Sequence, residues 1–474
     1  MWDDKKFITM GYLTFRGKTE PNILLVCLVC CLLQVSSVHS QCNTVCPVNP
    51  TISTTEININ TPNQNILETN PPGNLNPGGL KVSELTQGTT YNVTFNINSE
   101  LCCKEITTKP DIISSLVVTS VSTTSISLSW TKPQGNSSSY RVQVQGTGLD
   151  RNLTANSESI SVTDLTAGSV YTFSVTARAA DNLTEGDSVN ITKHTKPDTI
   201  SSLSVTSVST TSISLSWTKP QGNSSSYRVQ VQGTGLDRNL TANSESITVN
   251  DLTAGSLYTF SVTARAADNL TEGDTVNITK HTKPDTISSL SVTSVSTTSI
   301  SLSWTKPQGN SSSCRVQVEG TGLDRNLTAN SESITVTDLT AGSVYTFSVT
   351  ARAADNLTEG DSVNITKHTK PDIISSLSVT SVSTTSISLS WTKPQGNSSS
   401  YRVQVQGTGL DRNLTANSES ISVTDLTAGS VYTFSVTARA ADNLTEGDSV
   451  NITKHTSKCL KQDRLYYCLT NLWV

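Results

Sequence analysis

The sequence is poor in aromatic and apolar residues and in charge. Aromatic residues make up 5% and apolar residues 34% of its 474 positions. Such a composition is typical of disordered chains, but apolar residues at every second position favour small β domains instead. The formal net charge is −5 and no basic face is evident. A nucleic acid is therefore not expected as a partner.

Catalytic motifs are also lacking. The repeated part of the chain has no glycine-rich phosphate loop, no Gly-x-Ser-x-Gly, no His-x-x-x-His and no Cys-x-x-Cys. Asp181, Glu185 and Asp187 lie close together, as in some calcium sites, but a solvated hairpin tip explains them better. We expect no cofactor and no metal, and the chain is not predicted to be an enzyme.

Long hydrophobic runs are confined to the start of the chain. Residues 23–35 are largely apolar, follow a basic segment and precede small residues. This order is typical of a secretory signal, with cleavage expected after Ser40; Met10 is an alternative start. An uncleaved anchor is the weaker alternative, since a membrane span needs about 20 apolar residues. After residue 40 no run of 18 apolar residues occurs, so no transmembrane helix is expected in the mature chain.

A unit of 87 residues that occurs four times organises the rest of the sequence. The units are predicted at residues 109–195, 196–282, 283–369 and 370–456, after a signal at 1–40 and a segment at 41–108, and before a tail at 457–474. Each unit repeats one tryptophan and one tyrosine, which we predict to lie in its core. These residues are Trp130, Tyr171, Trp217, Tyr258, Trp304, Tyr345, Trp391 and Tyr432.

Seven short runs in the first unit read as strands. They are Leu116–Val121, Ser125–Thr131, Tyr140–Gln145, Arg151–Thr154, Ser159–Val162, Val170–Ala177 and Ser188–Lys193. Alternation with period two is typical of strands that bury one face. Seven such strands in fewer than 90 residues predict an all-β sandwich.

The unit resembles a fibronectin type III domain. The likeness is carried by Trp130, by Tyr140, and by the Leu-Thr-Ala-Gly-Ser-Val-Tyr-Thr-Phe-Ser-Val-Thr-Ala sequence at 165–177. It implies four immunoglobulin-like sandwiches in tandem, each with a tyrosine corner in which the hydroxyl of Tyr171 bonds nearby backbone. More narrowly, the chain resembles the outer part of receptor-type tyrosine phosphatases with many such repeats. No phosphatase signature occurs, so a phosphatase domain would lie outside this sequence.

Residues 41–108 resemble a degenerate copy of the unit. The sequence at 79–95 matches that at 159–175, with Tyr91 at the place of Tyr171, but the front half has no tryptophan. Disulfides can replace a missing core aromatic as a source of stability. We predict that Cys42 and Cys46 pair with Cys102 and Cys103, and two connectivities remain open. Cys459 and Cys468 can form a bridge within the tail.

Cys314 stands where the other units have Tyr140, Tyr227 and Tyr401. Cleavage after Ser40 would leave seven cysteines, an odd number, so one is free or joins two chains. Cys314 is the best candidate, because its repeat offers no partner.

Asn-x-Ser/Thr sequences are dense, and a secretory leader would make them usable for N-glycosylation. The seventeen predicted sites are Asn92, Asn136, Asn152, Asn182, Asn190, Asn223, Asn239, Asn269, Asn277, Asn310, Asn326, Asn356, Asn364, Asn397, Asn413, Asn443 and Asn451.

These features favour a glycosylated ectodomain, secreted or on the outer face of the plasma membrane, that binds extracellular or cell-surface proteins or glycans. Its predicted binding surfaces are the loops at 133–139 and 180–186, and self-association through the repeats or Cys314 is possible. The alternatives are a complete secreted matrix, binding or spacer protein, and an enzyme with accessory repeats, for which no segment is large enough. The repeated His194, His281, His368 and His455 are read as junction residues rather than metal ligands.

Overall fold

A computed structural model describes residues 46–233, 235–320, 323–462 and 465–468, and it does not describe the side chains of 323–326, 329 and 459–468. The predicted leader, its cleavage site and Cys42 lie outside the described residues. All regular structure in the described part is β-strand. Accordingly, no helix there is long and apolar enough to cross a membrane.

The chain divides into two compact units. The first comprises residues 1–197 and 266–271, and the second comprises 198–265 and 272–474. The first contains the degenerate N-terminal domain and the first repeat. The second contains nearly all of the other three repeats and the tail.

The N-terminal domain consists of two small antiparallel sheets. Its strands are β1 (Thr51–Ile52), β2 (Ile57–Asn58), β3 (Gln64–Asn70), β4 (Asn74–Leu75), β5 (Lys81–Ser83), β6 (Thr90–Ile97) and β7 (Glu100–Thr107). One sheet has the order β1-β2-β5-β4 and the other β3-β6-β7. Cys46 forms a disulfide with Cys102, and Cys103 is disulfide-bonded as well. The structure thus has the connectivity that joins Cys46 to Cys102.

The first repeat has the seven strands that its sequence predicts. They are β8 (Ser114–Val121), β9 (Ile126–Thr131), β10 (Ser139–Gly146), β11 (Leu149–Ala155), β12 (Ser159–Val162), β13 (Val170–Arg178) and β14 (Glu185–His194). They form a three-stranded sheet, β12-β9-β8, and a four-stranded sheet, β11-β10-β13-β14. The all-β sandwich prediction is confirmed.

The other three repeats have the same strands. The second has β15 (Ser201–Val208), β16 (Ile213–Thr218), β17 (Ser226–Gly233), β18 (Leu236–Ala242), β19 (Ser246–Val249), β20 (Leu257–Arg265) and β21 (Glu272–His281). The third has β22 (Ser288–Val295), β23 (Ile300–Thr305), β24 (Ser313–Gly320), β25 (Leu323–Ala329), β26 (Ser333–Val336), β27 (Val344–Arg352) and β28 (Glu359–His368). The fourth has β29 (Ser375–Val382), β30 (Ile387–Thr392), β31 (Ser400–Gly407), β32 (Leu410–Ala416), β33 (Ser420–Val423), β34 (Val431–Arg439) and β35 (Glu446–His455).

The tail forms a short hairpin of β36 (Cys459–Gln462) and β37 (Leu465–Cys468). Its backbone pairing sets Cys459 opposite Cys468. Their side chains are not described, so the bridge between them stays a prediction.

The core of each repeat is filled by the inward residues of the alternating strands. In the first repeat Trp130, Tyr140, Tyr171 and Phe173 are buried in one cluster. The rings of Trp130 and Tyr140 meet edge to face, with centroids 5.1 Å apart and planes at 71°. Aromatic pairs favour this geometry because the positive edge of one ring meets the negative face of the other. The repeat thus has the core that its aromatic spacing predicts.

A hydrogen bond fixes the turn before the longest strand. The backbone N–H of Thr166 donates to the hydroxyl of Tyr171 over 2.9 Å, while Gly168 takes a φ of 67°, which costs glycine little. The same bond recurs in the other repeats, and in the N-terminal domain between Thr86 and Tyr91 at 2.8 Å. The tyrosine corner implied by the family resemblance is therefore present in all five domains.

The third repeat lacks one half of the aromatic pair. Cys314 is buried in the core beside Trp304, and a cavity of about 60 Å³ lies beside both residues. Burial raises the pKa of the Cys314 thiol, which keeps it protonated and a poor nucleophile. In the first repeat the hydroxyl of Tyr140 donates to Glu158 at 3.1 Å. The third repeat has neither that bond nor the ring.

Replacing Trp130 by Ala should destabilise the first repeat by about 3–5 kcal/mol, because truncating a core aromatic loses burial and leaves a cavity. Hydrogen exchange at residues 114–121, whose sequence is unique to this repeat, should accelerate. Unchanged exchange there would contradict the assigned core. The same peptide in a Trp391→Ala variant is the control.

Replacing Cys314 by Tyr should stabilise the third repeat. The ring would occupy the pocket beside Trp304 and restore the edge-to-face aromatic contact, which contributes about 0.5–1.5 kcal/mol. Slower hydrogen exchange in a peptide containing Glu319, which marks this repeat, is the expected result. If exchange is unchanged or faster, the tyrosine does not fit the site. Cys314→Ser, which leaves the cavity, is the matched control.

Candidate functional site

The outer face of the four-stranded sheet is polar in every repeat. In the first repeat, cross-strand partners form a row of Asn152, Gln143, Ser174 and Asn190. The two asparagines belong to predicted glycosylation sequences and lie on the two edge strands, where both are exposed. Glycans at these positions would border the face on both sides and cover the strand edges, which otherwise invite pairing with other chains.

A carboxylate at one end of this face is held by two arginines. Arg141 donates to Glu185 through Nε (2.8 Å) and Nη2 (2.7 Å), and Arg178 donates through Nε at 2.9 Å. The bond from Arg141 is the main cause of a lowered pKa of Glu185; partial burial opposes it and Arg178 supports it. Sequence analysis missed this cluster, because Arg141 and Glu185 are 44 residues apart.

The loop at 180–186 is braced by its own aspartate. Asp181 accepts hydrogen bonds from the backbone N–H groups of Leu183 (3.0 Å) and Thr184 (2.9 Å) and from the Thr184 hydroxyl (2.6 Å). With Asp181 and Glu185 engaged in this way, the acidic cluster is a structural turn. Within the described residues no group of three or more His, Cys, Asp or Glu side chains could hold a metal ion.

This turn holds a leucine out into solvent in all four repeats. Leu183 is 85% exposed, and Leu270, Leu357 and Leu444 are 83–84% exposed. One exposed leucine needs no explanation, but each of these four stands on the same braced turn. The array therefore presents one apolar side chain at the tip of each copy of the loop.

The second predicted surface, the loop at 133–139, contacts the preceding domain. Asn136 N–H donates to the Gln87 carbonyl, and its side-chain Nδ2 donates to Thr89 Oγ1, both over 2.9 Å. In the second unit Asn310 makes the corresponding bonds to Ala254 (2.9 Å) and Ser256 (2.8 Å). In these copies the loop is part of a joint between domains rather than a free binding surface.

Three of the four repeated histidines lie in joints between repeats. In the second unit, Nδ1 of His281 is 3.3 Å from Asp355, and Nδ1 of His368 is 3.4 Å from Asp442. In the first unit, Nδ1 of His194 is 3.3 Å from the carboxylate of Asp268, which lies in the segment 266–271 that belongs to this unit. His455 is exposed. Reading these histidines as junction residues fits this geometry.

The aspartate of this joint is strongly acidic. Partial burial raises the pKa of Asp355, but hydrogen bonds from Thr358 and Leu357, together with the nearby His281, outweigh it and hold the pKa at about 2. At the corresponding place in the first unit, the side chain of Thr107 forms a hydrogen bond with Asp181. Thr107 stands one repeat length, 87 residues, before His194. The N-terminal domain thus presents a hydroxyl where the repeats present an imidazole.

The fold and these sites define the class of protein: a tandem array of immunoglobulin-like sandwiches with tyrosine corners and polar, loop-bordered sheet faces. The sequence model of the fibronectin type III domain matches residues 111–192, 198–278, 285–366 and 372–453, more than half of the chain. The chain belongs to the fibronectin type III family.

Among curated proteins, the chain is 33% identical to chicken (Gallus gallus) receptor-type tyrosine-protein phosphatase eta, over 73% of this chain and 25% of the relative. It is 32% identical to human (Homo sapiens) receptor-type tyrosine-protein phosphatase H, over 72% of this chain and 32% of the relative. The matches thus span a quarter to a third of these relatives. A solved two-domain segment of chicken tenascin aligns over 36% of this chain and 99% of its own, with 21% identity and a TM-score of 0.29.

Acid should weaken the arginine-held end of the sheet. In the third repeat the hydrogen bond from Arg315 is the main cause of a lowered pKa of Glu359. A carboxylate with a depressed folded-state pKa stabilises the fold above its unfolded pKa of about 4.3 and loses that contribution as pH falls through the folded value. Hydrogen exchange at 359–368 should therefore speed up relative to global unfolding as the pH falls below about 4.

Glu359→Gln should remove much of this pH dependence, because the neutral amide cannot form the charged bonds at any pH. Asp361→Asn removes an exposed charge two residues away and should leave the dependence intact. If both variants follow the parent profile, the arginine cluster does not contribute to stability.

Proposed function

We propose that this chain is part of an N-glycosylated extracellular receptor or adhesion protein that acts by binding other proteins, and that it carries no catalytic site of its own. The observation that carries the proposal is its similarity to two receptor-type tyrosine phosphatases over nearly three quarters of its length. The polar sheet faces, bordered by exposed Asn-x-Thr sequences, and the disulfides of the N-terminal domain also support it. Disulfides of this kind persist in oxidising, extracytoplasmic surroundings.

The proposed contact surface is the loop at 180–186 and its copies, together with the polar face beside it. An apolar anchor on a braced turn loses little conformational freedom when a partner covers it. Four copies on one chain allow weak single contacts to add through effective concentration when the ligand is clustered. A cell-surface protein with a shallow apolar pocket is the partner that this surface fits best.

The second candidate is a secreted matrix or spacer protein. It is favoured by similarity to mouse (Mus musculus) Tenascin-R, 27% identical over 48% of this chain and 18% of the relative. In this case the repeats would set distance and present glycans. A phosphatase domain beyond the matched region belongs to the first candidate only.

Glycosylation tests the extracellular assignment. The chain expressed in eukaryotic cells should be found in the medium, and enzymatic removal of N-glycans should clearly lower its apparent mass. An unshifted band, or retention in the cytosol, would contradict the assignment. The same chain made in bacteria provides the mass without glycans.

Exchanging the four tip leucines tests the contact surface. A variant with Ser at Leu183, Leu270, Leu357 and Leu444 should bind cultured cells at least tenfold more weakly than the parent, when both are clustered on streptavidin and scored by flow cytometry. The matched control puts Ser at Val170, Leu257, Val344 and Val431, which are 41–46% exposed and recur once per repeat. Equal binding by both variants and the parent would contradict the proposed contact surface and favour the spacer function.

A further inference from the structure

One of the four glycosylation sequences in the fourth repeat differs from the others in its place. In the fourth repeat Asn413 and Asn451 lie on edge strands and Asn443 lies in the loop, all exposed. The remaining one, Asn397 of Asn-Ser-Ser, lies in the turn that meets the preceding repeat. The amide nitrogen that would carry a glycan here takes part in the joint.

The contacts are alike in the joints of the second unit. In one joint the backbone N–H of Asn310 donates to Ala254 O over 2.9 Å, and Nδ2 donates to Ser256 Oγ over 2.8 Å. In the next, Asn397 donates to Ala341 O and to Ser343 Oγ, both over 2.9 Å. Although the asparagines are exposed as whole residues, their Nδ2 atoms point to the neighbouring repeat.

The backbones of neighbouring repeats also approach each other closely in these joints. Gly255 has a φ of +66°, and a Cβ on it would lie 1.5 Å from the carbonyl oxygen of Asn310. At Gly342 the corresponding distance to Asn397 is 1.6 Å. Only glycine fits such a position. The asparagine is thus held from its backbone and its side chain at once.

N-glycosylation forms a bond between the sugar and Nδ2, replaces one of its two hydrogens, and adds a bulky pyranose at that atom. We propose that a glycan on Asn310 or Asn397 and a closed joint exclude each other. Closed joints keep these asparagines unmodified, as joint residues, and a glycan on either opens its joint. Asn136 has the same role in the first unit. The proposal rests on the proposed export and N-glycosylation of the chain.

Site occupancy is measured on the full chain secreted from eukaryotic cells. Removing N-glycans with peptide N-glycosidase in heavy-oxygen water converts each glycosylated Asn to a labelled Asp. The peptide with Asn310 is unique because it ends in Ser-Cys-Arg, and the peptide with Asn277 is unique through Thr275. We expect the label at Asn277 and at least tenfold less label at Asn310. If neither is labelled, the glycosylation behind the proposed function fails, and this proposal fails with it.

Hydrogen exchange at the backbone N–H of Asn310 reports the joint directly, because its acceptor, the carbonyl of Ala254, belongs to the preceding repeat. In molecules without a glycan on Asn310 this amide should be protected, and in any molecules that carry one it should exchange at least tenfold faster. A labelled Asn310 with a protected amide overturns the exclusion while leaving the proposed function intact. In the chain made without glycans, Asn310→Ala should speed exchange at position 310, whereas Asn277→Ala should not. An unchanged rate in Asn310→Ala would also overturn the role of Nδ2.

Discussion

The hydrogen bond from a turn N–H to the tyrosine hydroxyl is the constraint on which both the repeat and its joints depend. In the second repeat, the bond from Thr253 to Tyr258 ties the turn to the buried face of the sandwich. Between these residues lie Ala254 and Ser256, the two hydrogen-bond acceptors in the joint, and the close-packed Gly255. One short sequence therefore closes the core on its inner side and forms half of a joint on its outer side.

Much of the fold could be predicted from sequence because it depends on local pattern. Period-two alternation fixed the seven strands to within a few residues, and the spacing of Trp130 and Tyr171 identified the core. The Arg141–Glu185 cluster and the joints could not be found this way. Their partners are 44 and 54 residues apart, and they meet only when strand order and domain contacts are known. Charged and polar residues in such pairs have no periodic signature.

The candidate surfaces illustrate the same limit. The loops at 133–139 and 180–186 look alike in sequence, since both are short, polar and carry an Asn-x-Ser/Thr site. Only the structure separates them: both loops contact the domain before them, but the first does so through its backbone and its Asn side chain, whereas the second does so through its aspartate and holds Leu183 into solvent. The third repeat keeps its seven strands and its tyrosine corner although Cys314 takes the place of the core tyrosine.

The joints have a consequence for how long such a chain can be. In the second unit, the third and fourth repeats contribute a donor half at the Asn-Ser-Ser turn, and the second and third repeats contribute an acceptor half at the Ala-Gly-Ser turn, so each of these contacts is heterologous. Removing or duplicating one whole 87-residue period within this unit would leave its remaining joints with matching halves. The N-terminal domain, which offers Gln87, Thr89 and Thr107 to the first repeat, fills the same side of the joint with different residues.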